Sequence, residues 1–257
     1  LRTKGIDLSW SIPEGLPTLF FAVHPCDYNA VLLLDKVFLS EPADPYYKAR
    51  RSKSIFFVLL CSGSDEHCFC ESLGTDKPLE KPDAVMYPLN DCYLVKIHSK
   101  KALELAKLAK LRKASVEEPV ISPNNEKKFK LEAAERILEL VAEERWKQFS
   151  RKCFCCGACS VVCPTCYCFD LDDEISPGLR SGKKGRRWTS CLLLSFTRVA
   201  GDKFFRSERW DRLTNRVLDK FLYARENYGF FGCVGCGRCL VDCPAGLDVF
   251  EELNGMV

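Results

Sequence analysis

One cysteine pattern occurs twice in the chain. Residues 153 to 164 read CFCCGACSVVCP and residues 233 to 244 read CVGCGRCLVDCP, both C-x2-C-x2-C-x3-C-P. Three thiolates spaced this way wrap three corners of a 4Fe-4S cubane, and the fourth corner must be reached from elsewhere. In the two-cluster form of the motif, the fourth cysteine of each run ligates the other run's cluster. The spacing therefore predicts Cys153, Cys156, Cys159 and Cys243 on cluster one, and Cys233, Cys236, Cys239 and Cys163 on cluster two. Two segments distant in sequence are then obliged to fold against each other, whatever residues 165 to 232 do between them. Gly157, Gly235 and Gly237 are expected to let the backbone curl and aim its amides at sulfur. Pro164 and Pro244 turn the chain away. Zinc, the competing metal, prefers two separated C-x2-C pairs.

The remaining composition narrows the class. Seventeen cysteines, an odd number, and 47% hydrophobic residues in 257 argue against a disulfide framework, because a core this large needs no staples. A net charge of +3 calls for no nucleic acid. The apolar runs TLFFAV and SIFFVLLC fall far short of the roughly 20 residues that span a membrane, and Leu1 opens no signal peptide. A cytoplasmic protein without a membrane span is expected. The lack of an initiator Met is expected of a chain that starts inside a longer one.

The organisation reads as α+β, a small N-terminal α/β domain followed by a mainly helical dicluster ferredoxin domain with a long insertion. The expected bounds are 1–115 for the α/β domain, 116–145 for a linker and helix, and 146–257 for the dicluster domain, with the insertion at about 170–230. TLFFAV (18 to 23) reads as a buried strand, followed by an amphipathic helix with Asp27 as its N-cap. SIFFVLLC (54 to 61) is a second buried strand, DAVMYPL and CYLVKIH supply further strands, and KALELAKLAKLRK supplies a helix. VEEPVISPNN (116 to 125) has two prolines and no period, as a linker would. NEKKFKLEAAERILELVAEERWKQFSRK reads as one long amphipathic helix. SERWDRLTNRVLDKFLYARENYG is another, with Trp210, Leu213, Val217 and Phe221 on its buried face. On that helix, Arg212, Arg216 and Lys220 form a stripe expected to be solvated. GLRSGKKGRRW (178 to 188) reads as a basic loop, either solvated or a docking patch.

In open α/β sheets, ligands gather beyond the carboxyl ends of the strands. Cys26 follows the first strand, Cys61 ends the second, and Cys68 and Cys70 lie in the next loop, one residue apart. The expectation is a third 4Fe-4S cluster on Cys26, Cys61, Cys68 and Cys70. Zinc, with His67 as a possible ligand, and ordinary buried thiols are the alternatives. Cys92, Cys155, Cys166, Cys168 and Cys191 are left over. CPTCYCFD repeats the C-x-C spacing, so Cys166 and Cys168, with Cys191, compete for the third site.

The segments HPCDYNAVLLLDKVF, CFCESLGTD, CCGACSVVCPTCYCFD, WTSCLLLSFTRVAG and YGFFGCVGCGRCLVDCP together resemble the beta subunit of cytosolic sulfhydrogenases and the corresponding iron-sulfur subunit of anaerobic sulfite reductases. The resemblance runs from about residue 18 to 250. It implies an iron-sulfur electron-transfer subunit in a hetero-oligomer, between a flavoprotein partner, linked to NAD(P)H or deazaflavin, and a catalytic subunit of hydrogenase or sulfur/sulfite reductase type. His24 stands where that family leads one to expect Arg, and Asp219 where it leads one to expect His. A longer amino-terminal segment of such subunits is not in this sequence. With every iron corner of the two ferredoxin clusters held by cysteine, and no G-x-G-x-x-G for a nucleotide, relay rather than catalysis is the expected role. The alternative is a reductase acting directly on a sulfur compound or disulfide at an N-terminal iron-sulfur or thiol site.

Overall fold

The computed structural model describes the chain apart from residues 1, 4, 5, 8, 10, 13 and 179, and at residues 2, 3, 6 and 7 the backbone alone. The N-terminal half is built on a four-stranded sheet whose spatial order follows the chain: Thr18–Val23, Ser54–Leu59, Ala84–Pro88, Tyr93–Ile97. The first three strands run parallel and the fourth antiparallel. Within Ser54–Leu59 the run from Ile55 to Leu59 is continuously apolar, because both faces of the strand are covered. Phe56 and Val58 pack on Tyr28 and Leu32 of the helix Pro25–Phe38, while Phe57 packs on the other side with Ala84, Met86 and Ala102. Helix Lys100–Leu108, capped by the Ser99 hydroxyl, supplies Ala102.

Two expectations for this half are corrected. Thr18–Val23 is apolar but lies at the sheet edge, with Leu19, Phe20 and Phe21 all exposed; Phe21 reaches 61%. An apolar run does not say how many neighbours a strand will have. Asp27 is not the N-cap of its helix, which begins at Pro25 behind His24. Asp27 sits in the first turn, where a carboxylate suits the helix dipole, and its Oδ2 accepts from Arg238 at 2.5 Å.

The C-terminal half has its own core, made by Phe129, Ile137, Leu140, Trp146, Leu213, Val217, Phe221, Phe250 and Leu253. The segment expected as one long helix is three short ones, Leu131–Glu135, Ile137–Leu140 and Glu144–Arg151. Breaks at Arg136 and at 141–143 bend it around the core, so that Ala134, Ile137, Leu140 and Trp146 are all buried. Helix Arg209–Leu218 continues through a π turn, Asp219–Tyr223, into Ala224–Tyr228. Leu213, Val217 and Phe221 are buried as expected, whereas Trp210 is half-buried with Lys147 over its ring. Contrary to expectation, the stripe of Arg212, Arg216 and Lys220 is buried too, at 5%, 5% and 3% exposure. This helix is enclosed all round.

Within the insertion, the basic loop is a strand, Gly182–Trp188, paired antiparallel with Phe169–Ile175. Its cations meet the acids of the facing strand, Lys184 with Asp173 and Arg187 with Asp172, and Arg186 reaches Asp44 in the N-terminal half.

Asn29, 2% exposed, ties the first helix to the loop beyond the second strand. Its amide donates to the Thr75 and Lys77 carbonyls at 3.1 and 2.8 Å, and its Oδ1 accepts from Leu79 N–H at 2.9 Å. Asn29→Leu leaves the buried Thr75 carbonyl and two part-buried backbone groups without their partner and should cost about 1–3 kcal/mol, read as a lowered midpoint in denaturant unfolding.

Candidate iron-sulfur centres

The duplicated sequence run produces a duplicated local structure. Gly157 and Gly237 are left-handed, at φ 81° and 73°, and each starts a four-residue helix, Ala158–Val161 and Arg238–Val241. Two positions earlier the backbone is left-handed again, at Cys155 (φ 53°) and Gly235 (φ 62°). The amides there point at sulfur, Cys155 N–H towards Cys153 Sγ at 3.3 Å and Gly235 N–H towards Cys233 Sγ at 3.5 Å.

Cys163, Cys233, Cys236 and Cys239 line one cavity with Arg216, Lys220 and Phe69. Cys163 comes from the first run and the other three from the second. Around the other set, Cys159 interacts with Cys153 and Cys243, while Cys156 is exposed.

The donor chemistry of these sites fits 4Fe-4S groups. Arg216 and Lys220 are buried cations, and burial by itself works against their charge. The cysteines facing them act the other way, Cys159, Cys166, Cys163 and Cys239 on Arg216, and Cys163 and Cys166 with Asp219 on Lys220, and both cations end above their ordinary values. Arg216 donates through one terminal nitrogen to the Cys159 carbonyl at 3.0 Å, but its buried Nε has no partner. Lys220 Nζ donates to the Thr165 carbonyl and hydroxyl at 3.1 and 3.0 Å. Hydrogen bonding from Cys166 is the main influence holding the Cys163 thiol below its ordinary range, with Lys220 and Arg216 adding to it. An anionic cluster is the group such cations serve. Among the described residues, no three His, Cys, Asp or Glu side chains converge as a single-ion site requires.

A second cavity, of about 360 Å³, is lined by Cys26, Cys61, Cys68 and Cys70 with His24 and Cys236. Cys26 and Cys61 follow the carboxyl ends of the first two strands, as expected. His24 Nδ1 lies 3.0 Å from Cys61 Sγ; His67 pairs with Glu66 instead. Burial pushes all four thiols up, Cys70 to about 12. They therefore become thiolates when a metal displaces their protons. Asn125, from the 116–125 segment, accepts through Oδ1 from Cys70 Sγ and Glu71 N–H. Its buried Nδ2 has no partner, and the residue lines the cavity. Cys166, Cys168 and Cys191 are not here; they line a different cavity.

The loop carrying Cys68 and Cys70 is packed on the second cysteine run. Phe69 N–H donates to the Gly235 carbonyl at 2.8 Å, and Thr75 Oγ1 donates to the Val234 carbonyl at 2.8 Å. A Cβ on Gly235 would stand 2.7 Å from the Cys70 nitrogen, and one on Gly237 2.5 Å from the His67 carbonyl oxygen. Between the two cysteines, Phe69 turns the other way and is fully buried, its ring 4.4 Å from Phe250 in the C-terminal core. The C-x-C spacing therefore places two thiols in one cavity and anchors the loop through the residue between them.

Sequence reasoning missed Arg216, Lys220, Arg238, Asn125 and His24 as parts of these sites. Only the i, i+4 spacing of Arg216 and Lys220 carried a signal, and it is shared by ordinary solvated stripes. Lys220→Met removes a buried charge beside Cys163. It should lower the reduction potential at the Cys163, Cys233, Cys236, Cys239 site by on the order of 60 mV, a tenfold shift in a one-electron equilibrium. Potentiometric titration followed by EPR reads this at unchanged iron content, and an unmoved potential refutes it.

Residues 152–247 match the family model described as a 4Fe-4S dicluster domain. The sulfhydrogenase 2 subunit beta of Pyrococcus furiosus is 36% identical over 247 residues, covering 92% of this chain and 73% of that protein. No solved structure matches. With both cysteine runs inside the dicluster match and most of the two chains aligned, this chain belongs to the sulfhydrogenase subunit beta family and is an iron-sulfur protein.

Proposed function

We propose that the chain is the electron-relay subunit of a hetero-oligomeric oxidoreductase. It would stand between a flavoprotein partner, linked to NAD(P)H or deazaflavin, and a catalytic subunit of hydrogenase or sulfur/sulfite reductase type. Cys153, Cys156, Cys159 and Cys243 would hold cluster one, and Cys233, Cys236, Cys239 and Cys163 cluster two. Cys26, Cys61, Cys68 and Cys70 would hold a third. When bound, such cubanes supply one-electron exchange at potentials set by hydrogen bonds, charge and burial. The N-terminal α/β unit (1–115) and the dicluster unit (146–257), with 116–145 between them, then act as one conducting body.

The observation that carries this reading is the contact between the HCFC loop and the second cysteine run. Cys68 Sγ lies 3.8 Å from the Cys236 carbonyl, and Asp27, next to Cys26, pairs with Arg238 within that run. A site built this closely against another suits electron passage. The dicluster residues themselves supply thiols, amides and buried cations.

One observation favours the second reading, a reductase in its own right. The N-terminal cavity has room for a small sulfur compound and presents His24 beside Cys61. Dithionite-reduced protein supplied alone with sulfite, polysulfide or a disulfide distinguishes the two. The relay predicts no turnover without a partner subunit, and turnover by the isolated chain overturns it. For the third cluster, the double variant Cys68→Ser, Cys70→Ser should lose about four irons per chain while keeping the EPR signals of the other centres. Unchanged iron removes the third cluster from the proposal.

A further inference from the structure

Cys166, Cys168 and Cys191 belong neither to the two cysteine runs nor to the N-terminal cavity. They line a separate cavity of about 110 Å³ together with Asp219 and Arg216. We propose that Cys166, Cys168, Cys191 and Asp219 form a further iron-sulfur site, with three thiolates and one carboxylate on a single 4Fe-4S cluster.

Three chain segments converge to make it. Cys166 and Cys168 leave the first cysteine run directly after Pro164. Cys191 follows the second strand of the hairpin and is brought alongside when Thr189 N–H donates to the Cys168 carbonyl at 3.0 Å. Asp219 opens the π turn, a widened helical turn of the kind that accompanies functional sites. The cavity that Asp219 lines is not the one lined by Lys220 at the next position. Asp219 thus lines the cysteine cavity while its Oδ2, 3.6 Å from Lys220 Nζ, also pairs with the cation of the cluster-two site. Electrostatically, Asp219 acts on both Cys168 and Cys191.

Arg216 supplies an independent reason. Its buried side chain lines this cavity and the cluster-two cavity alike, and its Nε has no hydrogen-bond partner. A guanidinium shared by two cavities, each ringed with thiols, is balanced when both hold anionic groups. Soft thiolate donors select iron-sulfur clusters, zinc or cuprous ion. Three thiols and one carboxylate around a single cavity match in number the four corners of a cubane, and a polynuclear group is the occupant proposed. Cys166 N–H also donates to the carbonyl of Cys163, a member of the cluster-two set, at 3.2 Å, which puts the site in contact with the relay.

The test uses the full chain, isolated and reconstituted without oxygen. Cys166→Ser with Cys191→Ser should lose about four irons and four sulfides per chain, separately from and additively to the loss in the Cys68→Ser, Cys70→Ser variant. Failure of the N-terminal site and failure of this one are therefore distinguishable. Asp219→Ala leaves one iron without a protein ligand. Mild oxidation should then release about one iron per chain and produce a 3Fe-4S EPR signal. Asp219→Cys should keep the iron and change the g-values. The site is overturned by unchanged iron in the cysteine variant, by zinc replacing iron in the metal analysis of the unaltered chain, or by an Asp219→Ala protein that behaves as the unaltered one.

Discussion

Backbone meets backbone where the HCFC loop lies on the second cysteine run, and the arrangement of the sites depends on that contact. Cys155 and Gly235 occupy equivalent places in the duplicated run and share a left-handed backbone. A cysteine occupies the first, buried with its Sγ 3.6 Å from the Arg209 carbonyl. At the second, Cys70 lies so near that any side chain on residue 235 would collide with its main chain. Glycine at 235 and 237 is thus needed for more than the curl of the loop. It makes room for another part of the protein, and with that room come the Phe69 anchor and the Asp27–Arg238 pair. Close approach of two main chains leaves little freedom for the halves to shift, so the thiols of the N-terminal cavity are held beside Cys236 by packing rather than by a flexible tether.

Charge is the second constraint. Burying Arg216 and Lys220 in an apolar core costs several kcal/mol per ion when nothing answers the charge. The helix that carries them sits between cysteines 159, 163 and 166 on one side and the hydrophobic core on the other. The thiol-lined cavities beside them supply the answer, and the cations in turn favour thiolate over thiol. Folding of the dicluster half and binding of its metal are therefore two aspects of one electrostatic balance.

Much of the site was legible in the cysteine spacing because ligand geometry is local. Three thiols of a cubane come from one short loop, and the left-handed glycines that shape it stand in the same run. The place of Cys26 and Cys61 beyond parallel strands was legible too, since strand direction follows from right-handed βαβ connections. The failures share a cause. TLFFAV has the composition of an inner strand and lies at an edge; the arginine and lysine stripe has the pattern of a solvated face and is buried; the basic loop pairs as a strand. In each case the outcome depends on what packs against the segment, which is a property of distant residues.

By itself, the sequence determined the chemistry: cysteine-rich sites at cubane spacing, a partly parallel sheet with cysteines beyond the carboxyl ends of its first two strands, and membership of an iron-sulfur subunit family. Only the tertiary structure decided which cysteines share a cavity. Cys68 and Cys70 join Cys26 and Cys61, whereas Cys166 and Cys168 join Cys191, although both pairs carry the same C-x-C spacing. The physical reason is that a thiol's partners are set by where neighbouring backbone can approach. That in turn is set by a glycine here, a buried phenylalanine there and a widened helical turn, each placed by packing over the whole chain.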